Sequence, residues 1–84
     1  MQKTISNNPS SLSEHVTKTL EDYFSILENE IPSDVYQMVT QQVEKPMIEF
    51  VLKKNNYNQS RTAEMLGINR NTLRKKIQQH QIKK

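Results

Sequence analysis

Apolar residues recur at spacings of three and four along the first half of the chain, which is the period of one face of an amphipathic helix. The first run predicts a helix over roughly residues 12–27, with the stripe Leu12, Val16, Leu20, Tyr23, Phe24 and Leu27. Ser11 and Glu14 have the S-x-x-E spacing of a capping box, which favours a helix start there. Residues 1–10 are polar and lack this period, so we expect a flexible arm.

A second stripe predicts a longer helix from about Asp34 to Lys54, after a break at Pro32 and with Ser33 or Asp34 as its cap. Its apolar positions are Val35, Met38, Val39, Val43, Met47, Phe50 and Val51. Pro46 lies inside this segment, and proline lacks an N–H group and crowds the carbonyl four residues back, so two short helices are an alternative. Because the period continues in phase across Pro46, a single helix kinked there is favoured.

Two shorter helices are indicated by their end residues. Asn58 follows a turn cluster and can cap a helix over residues 59–66, and Gly67 suits the left-handed conformation that closes a helix. Asn69 can cap a fourth helix that starts at Arg70 and runs to about Gln79. No strand-like alternation is present, so the sequence predicts an all-α fold of four helices.

The two long helices have more apolar surface than the two short ones can cover. Homodimerisation, with paired long helices forming a bundle, is the simplest solution, and an intramolecular hairpin covered by the short helices is the alternative. We therefore expect a flexible arm over residues 1–10, dimerisation helices over 11–56 and a helix-turn-helix over 57–84, within one compact domain. The predicted dimer core consists of Leu20, Phe24, Val39, Val43, Pro46, Met47 and Phe50.

Charge is distributed unevenly along the 84 residues, although the net charge is only +3. Residues 1–50 contain three basic and eight acidic side chains, whereas residues 51–84 contain nine basic side chains and one acidic one, Glu64. A solvated basic tail would explain this pattern. A polyanion-binding end is the sharper hypothesis, because neutralising phosphates requires clustered Lys and Arg.

Several functional classes are disfavoured by the composition. Without cysteine, disulfides and thiolate metal sites are excluded, and the two histidines, His15 and His80, have no acidic ligand pattern around them. The single glycine cannot form a glycine-rich phosphate loop, and no nucleophile or acid–base constellation is visible. We expect no metal, no cofactor and no enzymatic activity. No apolar run suits a membrane span or signal peptide, so a soluble cytoplasmic protein is expected.

Residues 59–77, QSRTAEMLGINRNTLRKKI, meet the physical requirements of a helix-turn-helix. Ala63 is small where two helices cross closely, and Gly67 stands four residues later, where the turn needs positive φ. Ile68, Leu73 and Ile77 give the second helix an inward face. Its outer face then carries Arg70, Asn71, Arg74 and Lys75. Each feature alone has an ordinary structural explanation, but together they predict DNA binding, with Arg suited to guanine and Asn to adenine.

Residues 58–77, NQSRTAEMLGINRNTLRKKI, resemble the DNA-binding unit of the factor-for-inversion-stimulation (Fis) family of bacterial nucleoid proteins. The upstream segments VEKPMIEFVL and LEDYFSIL resemble the dimerisation helices of that family, and the match covers roughly residues 12–79. Enhancer-binding activators related to nitrogen regulator C have a similar C-terminal helix-turn-helix. A DNA-binding subunit or fragment of such an activator is therefore the alternative.

The resemblance implies an intertwined homodimer that binds and bends double-stranded DNA, modulates transcription and DNA architecture, and resides in the cytoplasmic nucleoid. RNA polymerase is a further candidate partner. By position, Asn69 and Arg70 would contact base edges. Backbone or flanking contacts would come from Asn58, Ser60, Thr72, Arg74, Lys75 and Lys76.

Three departures from the family pattern qualify these expectations. The segment before the first helix is shorter than the arm that activates DNA invertases in that family, which puts recombinase activation in doubt. Asn71 stands where glycine is usual. Gln78 and Gln79 replace a basic pair, which predicts weaker or less salt-sensitive DNA binding.

Overall fold

The computed structural model describes residues 9–84, and this part of the chain contains four helices and no strand. They are α1 (Pro9–Leu27), α2 (Val35–Lys54), α3 (Gln59–Leu66) and α4 (Arg70–Gln79). The prediction of an all-α fold with four helices is confirmed. No helix among the described residues is both long and apolar enough to cross a bilayer. The chain divides into two units, residues 1–35 and 36–84.

Helix α1 begins about three residues before its predicted start. Proline is well suited to the first helical position, where its missing N–H group is not needed, and Pro9 occupies that position. Ser11 consequently lies inside the first turn, so the prediction that it caps the helix is wrong. Pro9 and Ser10 belong to α1, while the rest of the predicted arm, residues 1–8, lies outside the described residues. Large apolar side chains of α1 stay exposed in this unit, including Phe24 and Ile26.

Helix α2 runs without interruption through Pro46. The prediction of one continuous helix is therefore confirmed, and the alternative of two short helices is wrong. The predicted cap Asp34 directly precedes the first helical residue, Val35. Its last turn carries Lys53 and Lys54, whose positive charges favour the negative end of the helix dipole.

The core of the unit formed by residues 36–84 lies between α2 and the two short helices. Its buried apolar residues are Ile48, Leu52, Ala63, Leu73 and Ile82, and partly buried Tyr57, Leu66, Ile68 and Ile77 pack against them. Ile82 reaches this core because Gln81 adopts a positive φ of 56° after α4, and the Ile82 N–H group then donates to the Ile77 carbonyl at 3.0 Å. This is the hydrogen bond of a Schellman helix end.

Helix α2 has two apolar faces, and the sequence reading identified only one of them. Ile48 and Leu52, which the predicted stripe omitted, are 1% and 3% exposed and contact the helix-turn-helix. Met47 and Phe50, which the stripe included, are 44% and 63% exposed. Within the unit formed by residues 36–84, α3 and α4 therefore cover one face of α2, whereas Met47 and Phe50 on the predicted stripe stay exposed.

Candidate nucleic-acid interface

The first helix of the helix-turn-helix starts at a capped turn. Asn58 has extended backbone angles, and its side-chain Oδ1 accepts a hydrogen bond of 3.0 Å from the Arg61 N–H group. The Asn58 carbonyl accepts a further hydrogen bond of 2.8 Å from the hydroxyl of Thr62, which is fully buried. These contacts fix the start of α3, and they satisfy polar groups that would otherwise be costly to bury.

The turn between α3 and α4 depends on the conformation of Gly67. This residue has φ 78° and ψ 30°, and its N–H group donates to the Ala63 carbonyl at 2.9 Å. The Ile68 N–H group donates to the same carbonyl at 3.0 Å. A Cβ atom built at Gly67 would meet nothing within 4 Å. Glycine is therefore required for its positive φ, not for space.

Helix α4 starts immediately after this turn with Asn69 as its N-cap. The Asn69 Oδ1 atom accepts a hydrogen bond of 2.7 Å from the Asn71 N–H group. Leu73 is completely buried, while Ile68 and Ile77 are partly buried on the same side. Ala63, with 3% exposure, lies in the core that these residues share. The apolar side of α4 is thus fixed, which determines the side that faces solvent.

The solvent-facing side of the two short helices is polar and basic. Most of the side chains predicted to contact DNA are exposed there, namely Asn58, Ser60, Asn69, Arg70, Thr72, Arg74 and Lys75. Asn71, the departure from the family pattern, is exposed as well. Glu64 is the one acidic residue among the described residues from 51 onward, so this surface has a strong excess of positive charge. An anionic ligand is the chemistry that such a surface favours.

The starts of α3 and α4 are joined by a contact between side chains. Arg70 Nη1 donates a hydrogen bond of 3.0 Å to Ser60 Oγ. Ser60 is the second residue of α3, and Arg70 is the first residue of α4. Helix starts carry unpaired N–H groups and a partial positive charge, so this hydrogen bond links side chains from two helix ends that attract anions.

Lys76 lies in a different environment from the other predicted DNA contacts. Its ammonium group is 2.9 Å from Glu44 Oε2 on α2, and its side chain is only 29% exposed. The second oxygen of Glu44 lies 2.9 Å from His80 Nε2, and the His80 side chain is buried. Hydrogen bonds from His80 and then from Lys76 lower the pKa of Glu44, outweighing the opposite effect of its partial burial.

Sequence reasoning missed this polar cluster of Glu44, Lys76 and His80. A signal was present, because Glu44 is four residues before Ile48, which is four before Leu52, so all three lie along one side of α2. Lys76 and His80 have the same spacing along α4. What the sequence could not show is that these two rows face each other.

The predicted dimer core is incompletely covered within the described subunit. Leu20, Val39 and Val43 are half-buried, whereas Phe24, Pro46, Met47 and Phe50 are exposed. These residues lie in two units of one chain. Their assignment to a dimer interface therefore stays a prediction.

Comparisons with known proteins identify the relatives of this chain. A family model described as "Bacterial regulatory protein, Fis family" matches residues 40–80. A Fis-like DNA-binding protein of Ralstonia nicotianae is 47% identical over 76 residues, covering 90% of this chain and 96% of that protein. The DNA-binding protein Fis of Actinobacillus succinogenes is 42% identical over 79 residues, covering 94% of this chain and 78% of that protein.

A third relative supports the same assignment. A Fis-like DNA-binding protein of Neisseria meningitidis is 48% identical over 69 residues, which cover 82% of this chain and 87% of that protein. The similarity extends well beyond the helix-turn-helix, since it spans most of each chain. This chain belongs to the Fis family of bacterial regulatory proteins.

Proposed function

We propose that this chain is a homodimer that binds and bends double-stranded DNA and thereby modulates transcription and DNA architecture. The observation that carries the proposal is the exposed basic surface with Arg70, Arg74 and Lys75, on which a hydrogen bond links Arg70 at the start of α4 to Ser60 at the start of α3. The relatives in Ralstonia nicotianae and Actinobacillus succinogenes are named as DNA-binding proteins, which supports the same ligand. The proposal assigns no catalytic step to the chain.

Base reading is assigned to Asn69 and Arg70 at the start of α4. A recognition helix presents its N-terminal residues to base edges in the major groove. The Oδ1 atom of Asn69 already accepts the capping hydrogen bond, so its side-chain NH₂ group is the part offered to a base acceptor. Arg70 has five guanidinium donors and suits the O6 and N7 atoms of guanine.

Backbone contacts are assigned to the exposed polar and basic residues around these two positions. Asn58 and Ser60 lie at the start of α3, and Thr72, Arg74 and Lys75 lie along the exposed side of α4. Their side chains and the helix N-termini suit phosphate oxygens. Lys76 is the weakest member of the predicted set, because Glu44 already compensates its charge.

Homodimerisation is supported by the apolar surface that each subunit leaves open. Phe50 and Met47 on α2 are exposed, and so are Leu12, Phe24 and Ile26 on α1. Large apolar side chains that stay exposed along an amphipathic helix are typical of a surface that a partner covers. A dimer would also place two recognition helices on one duplex, which is how symmetric helix-turn-helix proteins reach two half-sites.

DNA bending follows from the family architecture together with this proposed dimer. Where the two recognition helices lie closer than one DNA turn, both can enter adjacent major grooves only if the duplex bends and its central minor groove narrows. Binding would then depend partly on the deformability of central base pairs that the protein does not touch. Location with the cytoplasmic nucleoid and contact with RNA polymerase during regulation belong to the same proposal.

A combined gel-shift, stoichiometry and bending assay tests this function. Duplexes with an A-tract centre should bind more tightly than random duplexes, with one dimer per bent site. Arg70→Ala should weaken the preferred duplex by about 1–3 kcal/mol and random duplexes much less. A stable monomer that binds straight DNA would contradict the dimer and the bend. A chain that is partly unfolded until a different protein is added would instead favour a subunit of an activator.

A further inference from the structure

We infer that Ser60 is a positioning residue for Arg70, so that a side chain of α3 sets how specifically α4 reads DNA. The inference rests on the proposed function, in which Arg70 contacts a base. Its basis is the 3.0 Å hydrogen bond from Arg70 Nη1 to Ser60 Oγ. This contact spans ten residues of sequence and crosses the turn between the two short helices.

The contact leaves Arg70 able to read a base. A guanidinium group has five N–H donors, and the bond to Ser60 uses one of them. Four donors remain, on Nη1, Nη2 and Nε, and guanine O6 and N7 need two of them on one edge. Arg70 can therefore donate to Ser60 and make a bidentate contact with guanine at the same time.

The same contact leaves Ser60 able to hold a phosphate. Its hydroxyl accepts from Arg70 through a lone pair, so its own hydrogen is still available for donation. Ser60 is the second residue of α3, close to the unpaired N–H groups at that helix start. A phosphate oxygen bound there would be linked through one hydroxyl to the guanidinium group of Arg70. Backbone contact and base contact would thus be coupled.

Restraint of Arg70 matters because both residues are exposed and arginine has many rotamers. An unrestrained arginine must lose that freedom each time it binds guanine, and it can also turn toward any nearby phosphate. A hydrogen bond that holds the side chain beforehand reduces the loss and keeps the planar donor edge in one orientation. Ser60 should therefore affect discrimination between bases more than overall affinity.

The first measurement requires no DNA. In the free protein, NMR of the arginine side chains should show slower guanidinium rotation and slower proton exchange for Arg70 than for Arg74, which is also exposed. Ser60→Ala should abolish this difference and Ser60→Thr should preserve it. If Arg70 and Arg74 behave alike in the native protein, the hydrogen bond is not formed in solution and the inference is overturned.

The second measurement uses duplexes selected from a randomised pool by the native protein. Positions are chosen at which the native protein prefers guanine and the Arg70→Ala variant does not. At each of these positions, the affinity of the duplex is compared with guanine, with adenine and with 7-deazaguanine, which lacks the N7 acceptor. The ratio of the guanine to the adenine affinity should fall about three- to tenfold in Ser60→Ala, the effect expected from one hydrogen bond. Ser60→Thr, which retains the hydroxyl, should restore most of the ratio.

Thr72→Ala serves as the matched control, because Thr72 is another exposed hydroxyl assigned to the DNA backbone. It should weaken all duplexes by a similar factor and leave the ratio unchanged. Circular dichroism and urea denaturation of Ser60→Ala check that α3 keeps its stability, so that a loss of discrimination can be assigned to Arg70.

The outcomes separate the two proposals. A native protein without any Arg70-dependent guanine preference overturns the proposed base reading, and the positioning role with it. If Ser60→Ala keeps the native preference for guanine, the positioning role alone is overturned. The same holds if Ser60→Ala weakens all duplexes equally, as Thr72→Ala does. A selective loss that threonine rescues supports both.

Discussion

Glu44 Oε1 lies 2.9 Å from His80 Nε2, so a carboxylate midway along α2 holds the residue at the end of α4. The His80 ring is buried, and a neutral ring that donates to Glu44 must carry its proton on Nε2. Its Nδ1 atom has no hydrogen-bond partner within the part of the chain that the structure describes. The helix-turn-helix is therefore attached to α2 by a polar contact as well as by the apolar core.

Lowering the pH should destabilise the native protein more than it destabilises the Glu44→Gln variant. Hydrogen bonds from His80 and Lys76 lower the pKa of Glu44 below its ordinary value of 4.5. A carboxyl group whose pKa falls on folding adds stability above its unfolded pKa, and this contribution is lost as the pH falls through the folded pKa. We expect a native advantage of about 1–2 kcal/mol near neutral pH. It should shrink steadily below about pH 4.5 in urea denaturation followed by circular dichroism.

Glu49→Gln is the control for this measurement, because Glu49 is an exposed carboxylate on the same helix. It should follow the native protein across the whole pH range when all proteins are compared at one concentration. A native advantage over Glu44→Gln that stayed constant into acid would show that the Glu44 carboxylate is not titrating differently in the two states.

Replacing Gly67 by alanine should lower the free energy of unfolding by about 1–2 kcal/mol, because an L-residue is strained in the left-handed region. The effect should be purely conformational, since a Cβ atom there meets nothing within 4 Å. Gly67→Asn should lose less, because asparagine tolerates this conformation better. Both losses are measured by urea denaturation. Equal losses in the two variants would indicate that the added Cβ atom clashes with a neighbouring group instead.

The two apolar faces of α2 should respond differently to truncation. Ile48→Ala removes a buried side chain and should cost about 2–5 kcal/mol of folding free energy. Phe50→Ala removes a side chain that is exposed in the subunit, so its main effect should be weaker self-association. Sedimentation equilibrium and denaturation at widely different protein concentrations separate these effects. Unchanged association of Phe50→Ala would remove this residue from the proposed interface.

Two adjacent lysines should differ in their effect on the salt dependence of DNA binding. Lys75 is exposed, and its replacement by glutamine should reduce the slope of log K against log salt by about 0.9 per contacted phosphate. Lys76 is paired with Glu44, so Lys76→Gln should change this slope less and reduce protein stability more. Equal slope changes would restore Lys76 to the set of phosphate contacts.

Most helix ends could be predicted from the sequence because their signals are local. Asn58 and Asn69 cap α3 and α4 through their own side chains, and Gly67 closes α3 through its own φ. Such contacts involve neighbours in sequence, so composition and spacing are sufficient. The start of α1 differs from the predicted one because Pro9 provides a competing local start, and the sequence alone does not decide between the two.

The sequence does not show which part of the protein packs against each face of α2. Ile48 and Met47 are adjacent apolar residues of α2, yet one is buried by the helix-turn-helix and the other is exposed. Nothing in their local pattern distinguishes them, since the choice depends on where α3 and α4 pack. The pairing of Glu44 with His80 could not be predicted for the same reason.

The position of Ile48 and Leu52 in the core has a consequence for protein engineering. A fragment cut at the turn before α3 would lose these two side chains and Glu44, and would expose Leu73 and Ala63 to water. The helix-turn-helix of this chain thus depends on α2 for its core and is not an independent folding unit. A graft intended to transfer its recognition helix to another scaffold must carry the second half of α2 with it.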